Sequence, residues 1–298
     1  MATGDPLLDF ALSLRGGTLT PVMKAVSEAN SAYAYIVLVP LIYWVLSRRI
    51  GLLLMLADAL GTFLAVFLKE AIASPRPPNA GETAWLASAD GYGLPSGHTT
   101  AAATTWGTLA AALRSVKLAP FGAAVTAAVG MSRMYLGVHY SKDVAGGIAI
   151  GLAISLAVLF LALPLETRIS KLPRPHRYAL TFSPLALLFL NHSSEAIVIL
   201  CATSGACAGH LLATERTWVL PTGHPRTLPL FGLARLAIGL PVLGLLALGL
   251  GSPTTSDPAA LVLRFLLLGV FVTALGPKLF LLVEARLARR PPNAAPVT

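Results

Sequence analysis

Residues 144–164 read VAGGIAIGLAISLAVLFLALP, an apolar run with no charged position. As a helix rising about 1.5 Å per residue it reaches about 30 Å, the thickness of a bilayer's hydrocarbon core. Three further runs, 52–71, 230–250 and 260–282, are also long enough to cross. Composition agrees. Only 12% of the chain is charged, about half the roughly 25% of soluble domains, and the mean hydropathy is +0.74. A large soluble helical core would still need a charged outer surface, and these runs offer none. The sequence predicts an all-α, polytopic transmembrane helical bundle.

Working outward, spans are expected at about 33–47, 52–71, 98–113, 119–136, 144–164, 178–191, 196–213, 230–250 and 260–282. The piece 178–191 is short and holds Pro184, so it reads either as a span or as one arm of a re-entrant hairpin with 196–213. Residues 6–27 read as amphipathic pieces at the interface, broken at Gly16-Gly17. The organisation expected is an interfacial segment over 1–30, a core over 31–165, additional C-terminal spans over 166–285 and a disordered tail over 286–298. No cleavable signal peptide is expected. Cys201 and Cys207, six apart on one apolar segment, read as packing residues and not a disulfide.

The net charge of +9 does not point to nucleic acid, because Lys and Arg sit at the ends of apolar runs. Alternating the loops places thirteen of them on one side, from Arg48 and Arg114 to Arg174 and Arg290. Three, Arg15, Lys24 and Lys142, lie on the other, apart from those in the motifs below. The richer side is expected to be cytoplasmic.

Polar groups collect in three places that a lipid-embedded chain would otherwise avoid. Residues 69–77 (KEAIASPRP) end the second span, 95–98 (PSGH) open the third, and 132–143 (SRMYLGVHYSKD) join the fourth and fifth. The span count puts all three on the outer face. Lys69, Arg76 and Arg133 supply three cations, and the arginine fork matches phosphate oxygens. Ser96 is placed to cap a helix starting at Gly97, whose first N–H groups form an anion site. Asp143 lies one turn beyond His139 and is able to hold one imidazole nitrogen, leaving the other to attack phosphorus. His98 is then left to protonate the leaving oxygen.

The set resembles the signature of the type-2 phosphatidic acid phosphatase superfamily, which includes vanadium haloperoxidases and glucose-6-phosphatase. That pattern is Lys, six residues, Arg-Pro; Pro-Ser-Gly-His; then Ser-Arg, five residues, His, three residues, Asp. It stands here without departure from Lys69 to Asp143, inside a match over roughly 50–165. The resemblance implies a six-helix phosphatase core, His139 as nucleophile, Asp143 as its orienting partner and His98 as acid. It also implies phosphate binding by Lys69, Arg76, Ser96, Gly97 and Arg133, with no metal and no cofactor. The expected substrate is a lipid phosphate or diphosphate, a polyprenyl diphosphate carrier among them; the oligomeric state is open. A sugar phosphate, a phosphotransferase reaction and a non-catalytic phosphate-binding transporter are the alternatives. Of the remaining polar residues, Glu70 is expected to pair with an arginine of the site, or Asp58 to bond a neighbouring helix. His192 and Glu195 stand on the same face. Trp85, Leu86, Tyr92 and Leu94 are placed to shape an entrance, and Pro221–His224 reads as a turn.

Overall fold

A computed structural model describes residues 3–216, 228–249 and 257–288. The turn read at 221–224 and the tail from 289 lie outside the described residues.

Two short helices come first, α1 (Pro6–Ser13) and α2 (Leu19–Glu28), separated at Gly16-Gly17 as expected. Asp5 caps α1 by accepting from the N–H groups of Leu7 and Leu8. Leu8 and Ala11 bury against Met134 and Val144, while Leu7, Phe10 and Val22 stay exposed. One apolar face thus packs on the bundle and the other stays exposed.

The first crossing is α3 (Ala32–Leu41), continued by a π-helical turn, Ile42–Leu46. Then follow α4 (Arg48–Ile72), α5 (Gly97–Leu113), α6 (Leu118–Tyr135) and α7 (Ser141–Ser170). After them come α8 (Arg174–Thr181), a 3₁₀ stretch Ser183–Phe189, α9 (Ser194–Glu215) and α10 (Leu228–Gly249). The last crossing joins α11 (Pro258–Val270), a π turn Phe271–Leu275 and α12 (Gly276–Ala288). Five helical stretches are long and apolar enough to cross a membrane: 48–72, 141–162, 194–215, 231–248 and 258–286. The protein is an integral-membrane, all-helical bundle.

Side-chain pairs fix which helix ends share a face. Arg48 donates to Thr214 Oγ1 at 2.9 Å, so the start of α4 meets the end of α9. At the other end Asn191 donates to Glu70 at 2.7 Å. Tyr178 and Arg174 both bind Glu215, so 174–191 runs the full height of α9, antiparallel to it. Its α-helical and 3₁₀ parts, at about 1.5 and 2.0 Å per residue, give about 26 Å. The stretch therefore links one end of α9 to the other and does not turn back as a re-entrant arm would. Pro184, which lacks an N–H, marks the break.

Five helices, α3 to α7, start within 31–165. The sixth helix against this core is α9, from the C-terminal part, whose Ala196 and Leu200 pack on Phe63 of α4. Of the buried arginines in the C-terminal part, Arg235 binds Glu284 at 2.8 Å and the Trp44 carbonyl at 2.8 Å, while Arg264 donates to the Ala247 carbonyl through Nη2 and leaves Nε and Nη1 without partners among the described residues. The two π turns face each other. The Trp44 indole donates to Val272 O at 2.7 Å and the Tyr43 hydroxyl to Thr273 O at 3.1 Å. Cys201 and Cys207 are free thiols.

One helix contact positions the chemistry. A Cβ on Gly147 would stand 2.8 Å from Ser96 O and 3.0 Å from Thr100 N, and one on Gly151 would strike Ala103. Only glycine lets α7 lie this close to α5. The approach sets 95–98 directly against 139–143, where Ser96 N donates to Asp143 O at 2.9 Å.

Candidate active site

His139 sits in the short link between α6 and α7 and is 2% exposed. Asp143, in the first turn of α7, is fully buried, with its Oδ2 3.2 Å from His139 Nδ1. The same oxygen accepts from Tyr140 N at 3.0 Å, which fixes the carboxylate. On the other side of the ring, Nε2 lies 3.0 Å from Arg76 Nη1. A guanidinium has donors and no acceptor, so Nε2 must accept. The proton is then on Nδ1, directed at Asp143. Burial drives the His139 pKa down to about 4; the Asp143 hydrogen bond opposes this, and the charges of Arg76 and Arg133 add to it. At neutral pH the ring is uncharged with an Nε2 lone pair.

Arg76 is held by backbone. Its Nε donates to Gly91 O at 3.0 Å, Nη1 to Val138 O at 2.8 Å and Nη2 to Asp90 O at 2.8 Å. Burial lowers its pKa, with Asp143 and Asp90 pulling the other way. Arg133, 4% exposed, donates to Ser27 Oγ at 2.6 Å and leaves Nε without a partner. Lys69 lies within electrostatic range of Arg76, Arg133, Asp143 and Glu195, and His98 within range of Arg133, His139, Lys69 and Arg76. The three motifs therefore form one cationic cluster around two histidines.

Ser96 occupies the N-cap position of α5, but its side chain caps nothing. Its hydroxyl accepts from Thr99 Oγ1 at 3.0 Å instead. This corrects the expected cap, and it leaves the first-turn N–H groups without a side-chain acceptor. A Cβ at Gly97 would meet no atom within 4 Å, so there is open space before that turn. Among the described residues no three His, Cys, Asp or Glu side chains converge as metal ligands.

Residues 50–166 match the PAP2 superfamily, and 197–290 match the transmembrane extension of PAP2 superfamily phosphatases. The chain belongs to the PAP2 superfamily. All eight candidate site residues lie within the PAP2 match. The chain is 30% identical over 171 residues to lipid phosphate phosphatase delta of Arabidopsis thaliana, covering 51% of this chain and 40% of that protein. It is 34% identical over 119 residues to phosphatidylglycerophosphatase B of Bacillus subtilis, covering 36% of this chain and 56% of that one. The chain thus spans about half the length of these curated relatives. A crystal structure of a transmembrane PAP2-type phosphatidylglycerolphosphate phosphatase from Bacillus subtilis aligns with a TM-score of 0.43 at 28% identity. The alignment covers 56% of this chain and 86% of that one.

Several residues around the PAP2 site were not evident from the sequence. Asp5 accepts from Ser141 N at 2.7 Å, and Arg15 donates to Tyr135 O at 2.8 Å. With Ser27 on Arg133, the N-terminal helices clasp the third motif. Gly93 is another: a Cβ there would lie 2.7 Å from Asp143 Oδ2. Glu70 does not pair with an arginine of the site. It accepts from Asn191, because it sits where the end of α4 faces the approach to α9. Asp58 does bond a neighbouring helix, accepting from Thr105 at 2.8 Å. Trp85 and Leu86 turn inward onto Tyr135, Leu136 and Val138, and Leu94 faces Gly146; Tyr92 remains exposed.

Proposed function

We propose that this protein is a metal-independent membrane phosphatase that cleaves a lipid phosphate through a phosphohistidine on His139. The observation that carries the reading is the polarised imidazole, with Nδ1–H on Asp143 and the Nε2 lone pair facing a cation. A phosphoryl group entering the open space at Gly97 meets Lys69, Arg76, Arg133 and the free N–H groups of α5. Arg76 transfers a donor from Nε2 to a phosphate oxygen, and Nε2 forms a bond to phosphorus as the bond to the lipid oxygen breaks. His98, protonated once the negative charge of the phosphate offsets the neighbouring cations, supplies the proton to that oxygen. In the second half His98 takes a proton from water, the water oxygen bonds to phosphorus, the P–Nε2 bond breaks and inorganic phosphate leaves. Asp143 stabilises the positive charge that the ring carries while phosphorylated. Lys69, Arg76 and Arg133 already supply the positive charge that a divalent ion would bring to the equatorial oxygens.

The names of the relatives support a glycerolipid phosphate as substrate, phosphatidylglycerol phosphate first. A polyprenyl diphosphate is a second candidate, on the ground that such carriers are recycled at the outer face. The charge bias supports an outer-face site, periplasmic in a bacterial inner membrane. The test is phosphate release from a panel of lipid and soluble phosphates by purified protein in detergent with excess EDTA. Release should persist in EDTA, and enzyme quenched during turnover should carry acid-labile phosphate that His139→Ala lacks. Chelation that stops release, restored by magnesium, refutes the metal-free reading; a His139→Ala rate above about a hundredth of wild type refutes the nucleophile.

A further inference from the structure

A second cavity lies at the opposite ends of the helices that carry the catalytic groups. Its volume is about 310 Å³, and it opens between the first turns of α4, the last turn of α5 and the lower part of α7. Arg49 and Arg114 stand on it, and Leu53, Val158, Leu159 and Ala162 are among its apolar lining. Along α4, Arg49 and Lys69 are separated by about 30 Å of helix, so this is not part of the phosphatase centre.

We infer that this cavity binds the headgroup and upper acyl chain of an anionic phospholipid from the leaflet opposite the catalytic site. The two arginines present donors suited to a phosphodiester, at the level where the helices leave the hydrocarbon. The aliphatic walls would stay wet around a free phosphate but are covered by a glycerolipid. The volume suits a headgroup with its first methylenes and not a whole lipid. The remaining chains have a track to follow, because Leu152, Leu156 and Phe160 of α7 are exposed along the outside of the bundle.

The arginines are also available. Among the described residues Arg49 is engaged by Glu166 alone, through Nε at 2.9 Å and Nη2 at 2.7 Å, and both side chains are about half exposed. Such a pair is weakened by water and salt, and a lipid phosphate competes for the same fork. Arg114 ends α5 in the left-handed region at φ 48°, a position that glycine commonly takes. Its side chain makes no hydrogen bond or ion pair among the described residues.

The test is native mass spectrometry of the purified full chain after delipidation, titrated with phosphatidylglycerol or phosphatidylcholine. Wild type should retain one phosphatidylglycerol per chain at least tenfold more strongly than phosphatidylcholine. Arg49→Gln with Arg114→Gln should remove that preference, and Ala162→Phe should remove it by filling the cavity while both arginines remain. Glu166→Gln should strengthen retention by freeing Arg49. Each variant is first checked for a monodisperse elution peak and wild-type helicity. A hundredfold excess of glycerol 3-phosphate should not displace the lipid; displacement would mean a site for free phosphate and overturn the lipid assignment. Equal retention by wild type and the double arginine variant, or equal retention of phosphatidylcholine, overturns the site itself. Neither result touches the catalytic reading, because the catalytic residues are unchanged in every variant.

Discussion

Gly93 lies outside the three motifs, yet it is where the Asp143 carboxylate is most easily displaced. A Cβ there would stand 2.7 Å from Asp143 Oδ2 and 3.3 Å from its Cγ, with Pro75 O 3.4 Å away on the other side. The methyl has nowhere to retreat, so Gly93→Ala must push the carboxylate by about 0.7 Å to restore ordinary contact. The His139–Asp143 bond is 3.2 Å long, and a displacement of that size away from the ring would lengthen it to about 3.9 Å at most, beyond a hydrogen bond. A hydrogen bond to a charged group contributes about 1.5–3 kcal/mol, which converts to a roughly ten- to hundredfold loss of rate. Overpacking should cost a further 1–3 kcal/mol or so of stability. The assay is phosphate release from a lipid phosphate in detergent, with thermal unfolding measured in parallel. Gly97→Ala is the informative comparison. Its Cβ meets nothing in the protein but enters the space assigned to the phosphate, so it should raise KM with little change in unfolding temperature. A Gly93→Ala enzyme that is folded and within twofold of wild-type rate would show that the carboxylate does not depend on this contact.

Two other outcomes follow from the geometry. With its pKa driven down to about 4 by burial, the His139 ring should remain neutral, with its proton on Nδ1, throughout pH 5–8 by nitrogen NMR. An unfolded histidine titrates near about 6.5. Between the two values the unfolded chain binds more protons, so this ring's contribution to stability is full above about pH 6.5 and is lost as pH falls toward about 4. A ring that titrates at its ordinary value in the folded protein would contradict the assigned environment. For topology, single cysteines in a background lacking Cys201 and Cys207 should react with an impermeant thiol reagent at position 90 in intact cells, and at position 174 only after permeabilisation. The reverse pattern would place the catalytic centre in the cytoplasm and remove the outer-face substrates.

Part of the candidate site was legible because it depends on residue type at short fixed spacing. His139 and Asp143 needed only one helical turn, whereas the contact of Arg76 with the far side of the ring joins positions 63 residues apart. What the sequence left open depends on contacts between distant segments. Residues 6–27 show an apolar face at helical spacing, and that pattern does not reveal that Ser27 would meet Arg133 or Asp5 the N–H of Ser141. Glu70 was misassigned for the same reason: its neighbour Asn191 is remote in sequence. Ser96 was placed correctly as an N-cap by residue type, but a hydroxyl rotates, and Thr99 proved the nearer donor. The stretch 178–191 was ambiguous because a helix interrupted by proline and a re-entrant arm share one hydropathy profile. Only the pairs at its two ends separate them.

These distant contacts change what the 50–166 segment is able to do on its own. Arg133 is buried and donates to Ser27 of α2. Without α1 and α2, that guanidinium would lose its acceptor Ser27, and a buried cation left without partners costs several kcal/mol. The C-terminal part acts on the opposite edge of the site. Asn191 holds Glu70 at the end of α4, one residue from Lys69, and Glu195 in the first turn of α9 lies within electrostatic range of that lysine. A carboxylate there offsets part of the mutual repulsion among Lys69, Arg76 and Arg133 while no phosphate is present. Arg133 and Lys69 thus answer to groups from the two flanks of the 50–166 segment, whereas Arg76 is held by carbonyls within it.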